Sequence, residues 1–121
     1  MSCTEGLIGD GIFDKNKNYK KYNSEHFYNT LQTIYKNKKS NLLDNGFPTI
    51  WNLEFLKIHN CVICSSVLVE KELLNKINNF PLLRNGEDYK CWLNLLEYTN
   101  IVYIDESCVY YDNRHGDGQN Y

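Results

Sequence analysis

Apolar residues recur along this chain with two different periods, and the change of period marks out its elements. Phe27, Leu31, Ile34 and Tyr35 stand at i, i+4, i+7 and i+8, one stripe of an amphipathic helix over about residues 24–38. Ser24 stands where a cap belongs, Glu25 adds a carboxylate to the first turn, and lysines close the far end. Trp51, Phe55 and Ile58 predict a second, short helix within WNLEFLKIHN. The run CVICSSVLV at 61–69 is rich in β-branched residues and bounded by Asn60 and Glu70, so it predicts the clearest strand. KELLNKINNF follows as a short helix with Leu73, Leu74 and Ile77 inward, closed by Asn78-Asn79. Tyr89, Trp92, Leu93 and Leu96 make another helical stripe that Asn100 ends, and IVYIDESCVYY at 101–111 predicts one or two strands.

Turn residues separate these runs. The first dozen residues carry Gly6, Gly9 and Gly11 and read as loop. Asn45-Gly46 and Pro48 predict a turn and then an extended segment, and the tail DNRHGDGQNY reads as polar loop. Apart from the short helix at WNLEFLKIHN, the resulting order is helix, strand, helix, helix, strand, which fits an α/β layer architecture.

Composition narrows the classes. At 121 residues, 42% hydrophobic and 14% aromatic, residues 1–121 suit a single domain with a real core. The net charge of −2 offers no broad basic field for nucleic acid. Lys15, Lys17, Lys20 and Lys21 alternate with Tyr19 and Tyr22, a pattern that suits stacking on single strands but reads more simply as a solvated face. Met1-Ser2-Cys3-Thr4-Glu5 lacks the basic start of a signal peptide, and no stretch approaches the ~20 apolar residues of a membrane span, so a cytoplasmic location is the expectation. Five cysteines without secretory context are expected to be reduced. Cys61-x-x-Cys64 with Cys91 and Cys108 lacks the spacing of a zinc ribbon. Gly6, Gly9 and Gly11 match neither a dinucleotide fingerprint nor a phosphate loop, and Ser65-Ser66 lack the frame of a nucleophile elbow.

The candidate chemistry lies in NGEDYKCWLNLLEY, residues 85–98, where Glu87 and Asp88 precede the best-formed apolar stripe. Carboxylates in a first helical turn gain roughly 0.3–1 kcal/mol from the macrodipole, so a helix start alone accounts for them. The other reading is that one of them accepts a proton from a bound group.

The order of residues around the pair resembles the acceptor-side half of family 2 glycosyltransferases. The resemblance is carried by Ser65, Ser66, Val67, Leu68, Val69, Leu73, Leu74 and Phe80, then Glu87, Asp88, Tyr89, Trp92 and Leu93, then Tyr103, Ile104, Tyr110, Tyr111 and His115. It covers about residues 60–115, with Asn78-Asn79-Phe80 where the family usually has Gly-Gly-Phe. It implies a partial GT-A-like fold, a short mixed sheet flanked by helices, in which 1–59 is a helical and loop lead-in and 60–115 the acceptor-side portion. Asp88 is then the general base that removes a proton from the acceptor hydroxyl, a role that typically contributes ~10²–10⁴-fold. A helix N-terminus holds such a group on a rigid element. Glu87 anchors the loop or contacts the acceptor, Trp92 and Arg114 contact substrate, and His115 lies near the diphosphate or its metal.

The implied activity is sugar transfer, of hexosyltransferase type, from a nucleotide-sugar to a glycan or other hydroxyl acceptor. That family uses a divalent metal, Mg²⁺ or Mn²⁺, held by an Asp-x-Asp at the end of a nucleotide-binding half. No Asp-x-Asp occurs here, so the chain is expected to need a partner chain or a missing N-terminal half and not to turn over alone. The alternative is a non-catalytic module that keeps this fold and binds a glycan or a protein.

Overall fold

The computed structural model describes residues 1–112. In chain order it contains β1 (Ser2–Gly9), a π-helical turn (Ser24–Tyr28), α1 (Asn29–Asn37), β2 (Ile50–Trp51), α2 (Leu53–Ile58), a 3₁₀ turn (Cys64–Ser66), α3 (Lys71–Lys76), α4 (Glu87–Leu95) and β3 (Ile101–Asp112). The fold is mixed α/β: three strands in the order β1-β3-β2, flanked by helices. β2 pairs antiparallel with β3 through Ile50↔Val102 and Trp51↔Ile101. Val102 N–H donates to Met1 O at one end of β1, and Tyr111 O lies against Gly9 at the other, so β1 and β3 run in the same direction. The chain divides into two compact units, Met1–Thr4 with Pro48–Ile104 and Glu5–Phe47 with Asp105–Tyr121.

β1 corrects the expectation of a loop at the N-terminus. Gly9 at its end marks close approach, not a turn. A Cβ on Gly9 would stand 2.6 Å from Tyr110 Cζ and 2.9 Å from the Tyr111 carbonyl oxygen, so only glycine fits at that point of the strand.

The expected strand at 61–69 is not one. Cys61, Val62 and Ile63 are buried, which explains the apolar run, but the backbone turns back on itself. Ser66 N–H and Ser66 Oγ both donate to Ile63 O, at 2.9 and 2.8 Å, and Val67 N–H donates to Cys64 O. Serine competes for nearby carbonyls in this way and disfavours a ladder. Only Leu68 is left to bridge Ser2, through two backbone bonds.

In the first unit the core gathers on one face of β3. Ile101 and Tyr103 are buried, and Tyr103 stacks on Trp51 with centroids 4.4 Å apart. Asn52 caps α2, its side-chain oxygen accepting from Phe55 N–H at 2.9 Å, which turns Phe55 under Trp51. α3 leaves Leu73, Leu74 and Ile77 only half-buried; it stops where Asn78 and Asn79 take φ of 60° and 64° and Asn79 N–H reaches back to Leu74 O. In α4 the buried set is Cys91, Trp92 and Leu95, followed by Leu96, so the stripe is rotated relative to the one the sequence predicts: Tyr89 and Leu93 are half-buried. The segment at 101–111 is one strand, β3, of 12 residues.

In the second unit, Leu31 of α1 and Leu43 are buried, and Tyr28 O–H donates to Leu43 O. The helical run does not use Ser24 as its cap. Its leading N–H groups, of Asn23 and Ser24, donate instead to the fully buried carboxylate of Glu5 on β1. Ser24 Oγ also donates to Glu5, at 3.2 Å.

Candidate functional site

The acidic pair is placed by what precedes and follows it. Gly86 adopts φ 73° and ψ 20°, a left-handed conformation that glycine reaches without strain, and its carbonyl accepts from Lys90 N–H at 3.0 Å to start α4. Tyr89 then fixes the first turn, because its O–H donates to Leu56 O at the end of α2 at 2.8 Å. Glu87 is exposed and Asp88 half-buried on that turn.

Asp88 Oδ1 accepts from the adjacent Tyr89 N–H at 2.6 Å. Among the described residues no cation pairs with Asp88, and its second oxygen has no donor. Asp88 makes no side-chain capping bond of the usual kind, since α4 has none.

The neighbours of the pair are thiols. Cys64, on the 3₁₀ turn, is exposed, yet its thiol is pushed up, first by partial burial and then by the negative charges of Asp88 and Glu87. Cys91, buried one turn along α4, is pushed up by burial, then by Cys64 and Asp88. Burial, with Cys3 beside it, raises Cys61 to about 12, and burial then Cys61 raises Tyr89. The 64–66 turn and the start of α4 therefore share one patch of surface. Sequence reasoning misses Cys64 here, because the apolar run at 61–69 reads as a strand; the serines after it are the available signal of a turn.

Trp92, expected to contact substrate, is 2% exposed and packs edge-to-face with Phe80 at 5.5 Å. Its Nε1 is buried and has no partner among the described residues. Arg114 and His115 lie outside the described residues. No group of three His, Cys, Asp or Glu side chains among the described residues is placed to hold a metal ion. Also among the described residues, no helix is long and apolar enough to cross a membrane.

A separate open cavity of about 240 Å³ lies in the second unit, lined by Ile8, Gly9, Asp10, Lys17, Asn18, Tyr19 and Lys20. It contains none of the residues expected for sugar transfer; Lys17, Tyr19 and Lys20 belong to the basic, tyrosine-bearing stretch, and Lys17 is paired with Asp10 across 3.7 Å.

The thiols supply a direct test of the patch. With Cys108 replaced by serine, Cys64 is the one exposed cysteine among the described residues. The thiolate is the reactive form, so a raised thiol reacts slowly at pH 7–8 and faster as pH climbs. Removing the charge of Asp88 in Asp88→Asn favours the thiolate and is expected to speed labelling of Cys64 by a disulfide reagent about two- to fivefold at fixed pH. Equal labelling rates with and without that charge would separate the two groups.

No family model, curated protein or solved structure matches this chain.

Proposed function

We propose that this chain is the acceptor-side portion of a GT-A-type glycosyltransferase of family 2, moving a hexose from a nucleotide-sugar to an acceptor hydroxyl with Asp88 as general base. One observation carries the reading: a half-buried carboxylate on the rigid first turn of α4, with one oxygen unclaimed among the described residues. The order of motifs around it supplies the reaction class. In the proposed reaction the acceptor oxygen loses its proton to Asp88 as it attacks the anomeric carbon, and the nucleoside diphosphate leaves from the opposite face. Tyr89, tied to Leu56 O, holds the turn, and Glu87 faces the acceptor from the exposed side.

The described residues do not fit a divalent metal, so no step here runs through one. Arg114 and His115 enter only as expected contacts of the diphosphate.

The sheet favours a further layer in the working enzyme. Val102 and Ile104 alternate with the buried Ile101 and Tyr103, and with Ile50 opposite Val102 they leave an apolar face 41–51% exposed. An exposed apolar face of this kind is ordinarily a contact surface. A nucleotide-binding half, on this chain or a partner, is the proposed cover. The test is transfer of labelled sugar from a set of nucleotide-sugars with Mg²⁺ or Mn²⁺ present. Transfer is expected only when a nucleotide-binding segment completes the chain. Turnover by the chain alone would refute the incompleteness, and no transfer by the completed form would refute the reaction class.

A further inference from the structure

The open cavity at the end of β1 is framed by the loop from Asp10 to Tyr19, and hydrogen bonds fix that loop along its length. Asp10 N–H donates to Tyr110 Oη at 3.1 Å, and Gly11 N–H to Asp112 Oδ1 at 3.0 Å. Asp14 N–H donates to Tyr19 Oη at 2.9 Å, and Lys17 N–H to Asp14 O at 3.0 Å. Ile8 N–H donates to Lys20 O at 2.9 Å, which ties the returning chain to β1. The rings of Phe13, Tyr19 and Tyr110 pack on one another with centroids 5.7, 5.4 and 5.2 Å apart. A surface loop with close ends, packed by its own side chains, frequently carries function. Its lining is balanced in charge. Lys17 faces Asp10 across 3.7 Å and Lys20 is bonded to Glu25 at 2.5 Å, so each lining cation has its carboxylate. Asp14 and Lys15, beside them in the chain, offset each other too.

We infer that this cavity binds a small polyhydroxylated ligand, a single saccharide ring, between Asp10, Lys17 and Asn18. At 3.7 Å the Asp10–Lys17 pair is longer than the ~2.7–2.9 Å of a charge-assisted hydrogen bond, so neither group is saturated. The Asn18 carboxamide, which both donates and accepts, has no hydrogen bond among the described residues. A hydroxyl also does both. Neighbouring hydroxyls of one ring can therefore bridge Asp10 and Lys17 and meet Asn18 while the ion pair keeps its balance. A lone anion or cation would have to displace one member of a pair. Ile8 and Tyr19 supply the apolar lining for the C–H groups of the ring. The volume of about 240 Å³ falls below the ~300–1,000 Å³ of pockets for drug-sized ligands, which limits the occupant to one ring. The inference stands without the transferase reading: the cavity belongs to the second unit, Asp88 to the first, and a free sugar needs no nucleotide to bind.

The experiment is a titration of the full, nitrogen-15-labelled chain with glucose, galactose and N-acetylglucosamine, read by backbone amide shifts. Saturable shifts centred on residues 8–20 are expected with at least one of the three, at millimolar affinity. Asp10→Ala is expected to weaken that binding at least tenfold and Asn18→Ala about three- to tenfold, with the amide spectrum elsewhere unchanged. Lys15→Ala, in the same loop but outside the lining, is expected to leave it unchanged. Inorganic phosphate and glycine at the same concentrations are expected to give no saturable shift there. Absence of saturable shifts with all three sugars would overturn the inference. So would equal affinity in wild type, Asp10→Ala and Asn18→Ala, or phosphate or glycine saturating the same amides at lower concentration than any sugar.

Discussion

With Asp88 as the proposed general base, Asp88→Asn is expected to lower sugar transfer by about 10²–10⁴-fold once a nucleotide-binding half is supplied, the range that such a base contributes. The substitution is close to isosteric. Its amide oxygen can still accept from Tyr89 N–H, the bond that the carboxylate makes at 2.6 Å. No ion pair among the described residues is lost, because none involves Asp88. What disappears, on the proposed mechanism, is the site that takes the proton. Stability should fall by no more than about 1 kcal/mol, the worth of a charge near a helix N-terminus. Donor binding should be unchanged, so the loss should fall on kcat. Glu87→Gln, one residue earlier and exposed, is expected to cost less than tenfold. Steady-state transfer rates and thermal unfolding of the three proteins check this together. Activity of Asp88→Asn within tenfold of wild type would remove the base from the mechanism.

The parts of the fold that are legible in the sequence are those set by neighbours a few residues apart. The stripe Phe27–Leu31–Ile34 gives the helical run of the π-helical turn and α1, and Phe55 with Ile58 gives α2, because both depend on spacing within one or two turns. Trp51, the first residue expected in that second stripe, lies instead in β2. Asn78-Asn79 closes α3 through their own left-handed φ values. The parts that are not legible depend on partners far along the chain. Gly9 looks like a loop residue until Tyr110 is laid against it, and then it is a strand residue with no room for a side chain. The 61–69 run is apolar because its first three residues are core, while the serines that follow decide the backbone. The candidate site shows the same division. Glu87 and Asp88 at the head of a helix are plain from their position, whereas their electrostatic contact with Cys64 crosses a turn that a strand reading straightens.

Glu5 shows the largest such gap, and replacing it should have the largest effect on stability. Its carboxylate is fully buried and accepts from Gly6 N–H and Asn23 N–H at 2.8 Å, and from Ser24 N–H and Ser24 Oγ at 3.2 Å. It thereby does from another element what an N-cap side chain does locally, satisfying leading N–H groups that have no carbonyl of their own. The pairing spans 18 residues, so nothing near Ser24 announces it. Glu5→Ala removes the acceptor and leaves several buried donors unsatisfied, each worth about 1–3 kcal/mol, and the expected loss is about 3–5 kcal/mol. For a domain of this size that is a fall in Tm of roughly 10–20 °C. Glu5→Gln keeps the shape but turns an N–H₂ toward the same donors, so it should still cost about 2 kcal/mol. The comparison is Glu25→Gln, which breaks the Lys20–Glu25 pair at 2.5 Å. Both of those partners are exposed, and the expected change is below about 1 kcal/mol. Urea unfolding of the three variants measures the differences, and amide exchange should show Asn23 and Ser24 losing protection first in Glu5→Ala. If Glu5→Ala unfolds within about 1 kcal/mol of wild type, the long-range cap is not what holds the helical run of the second unit to β1.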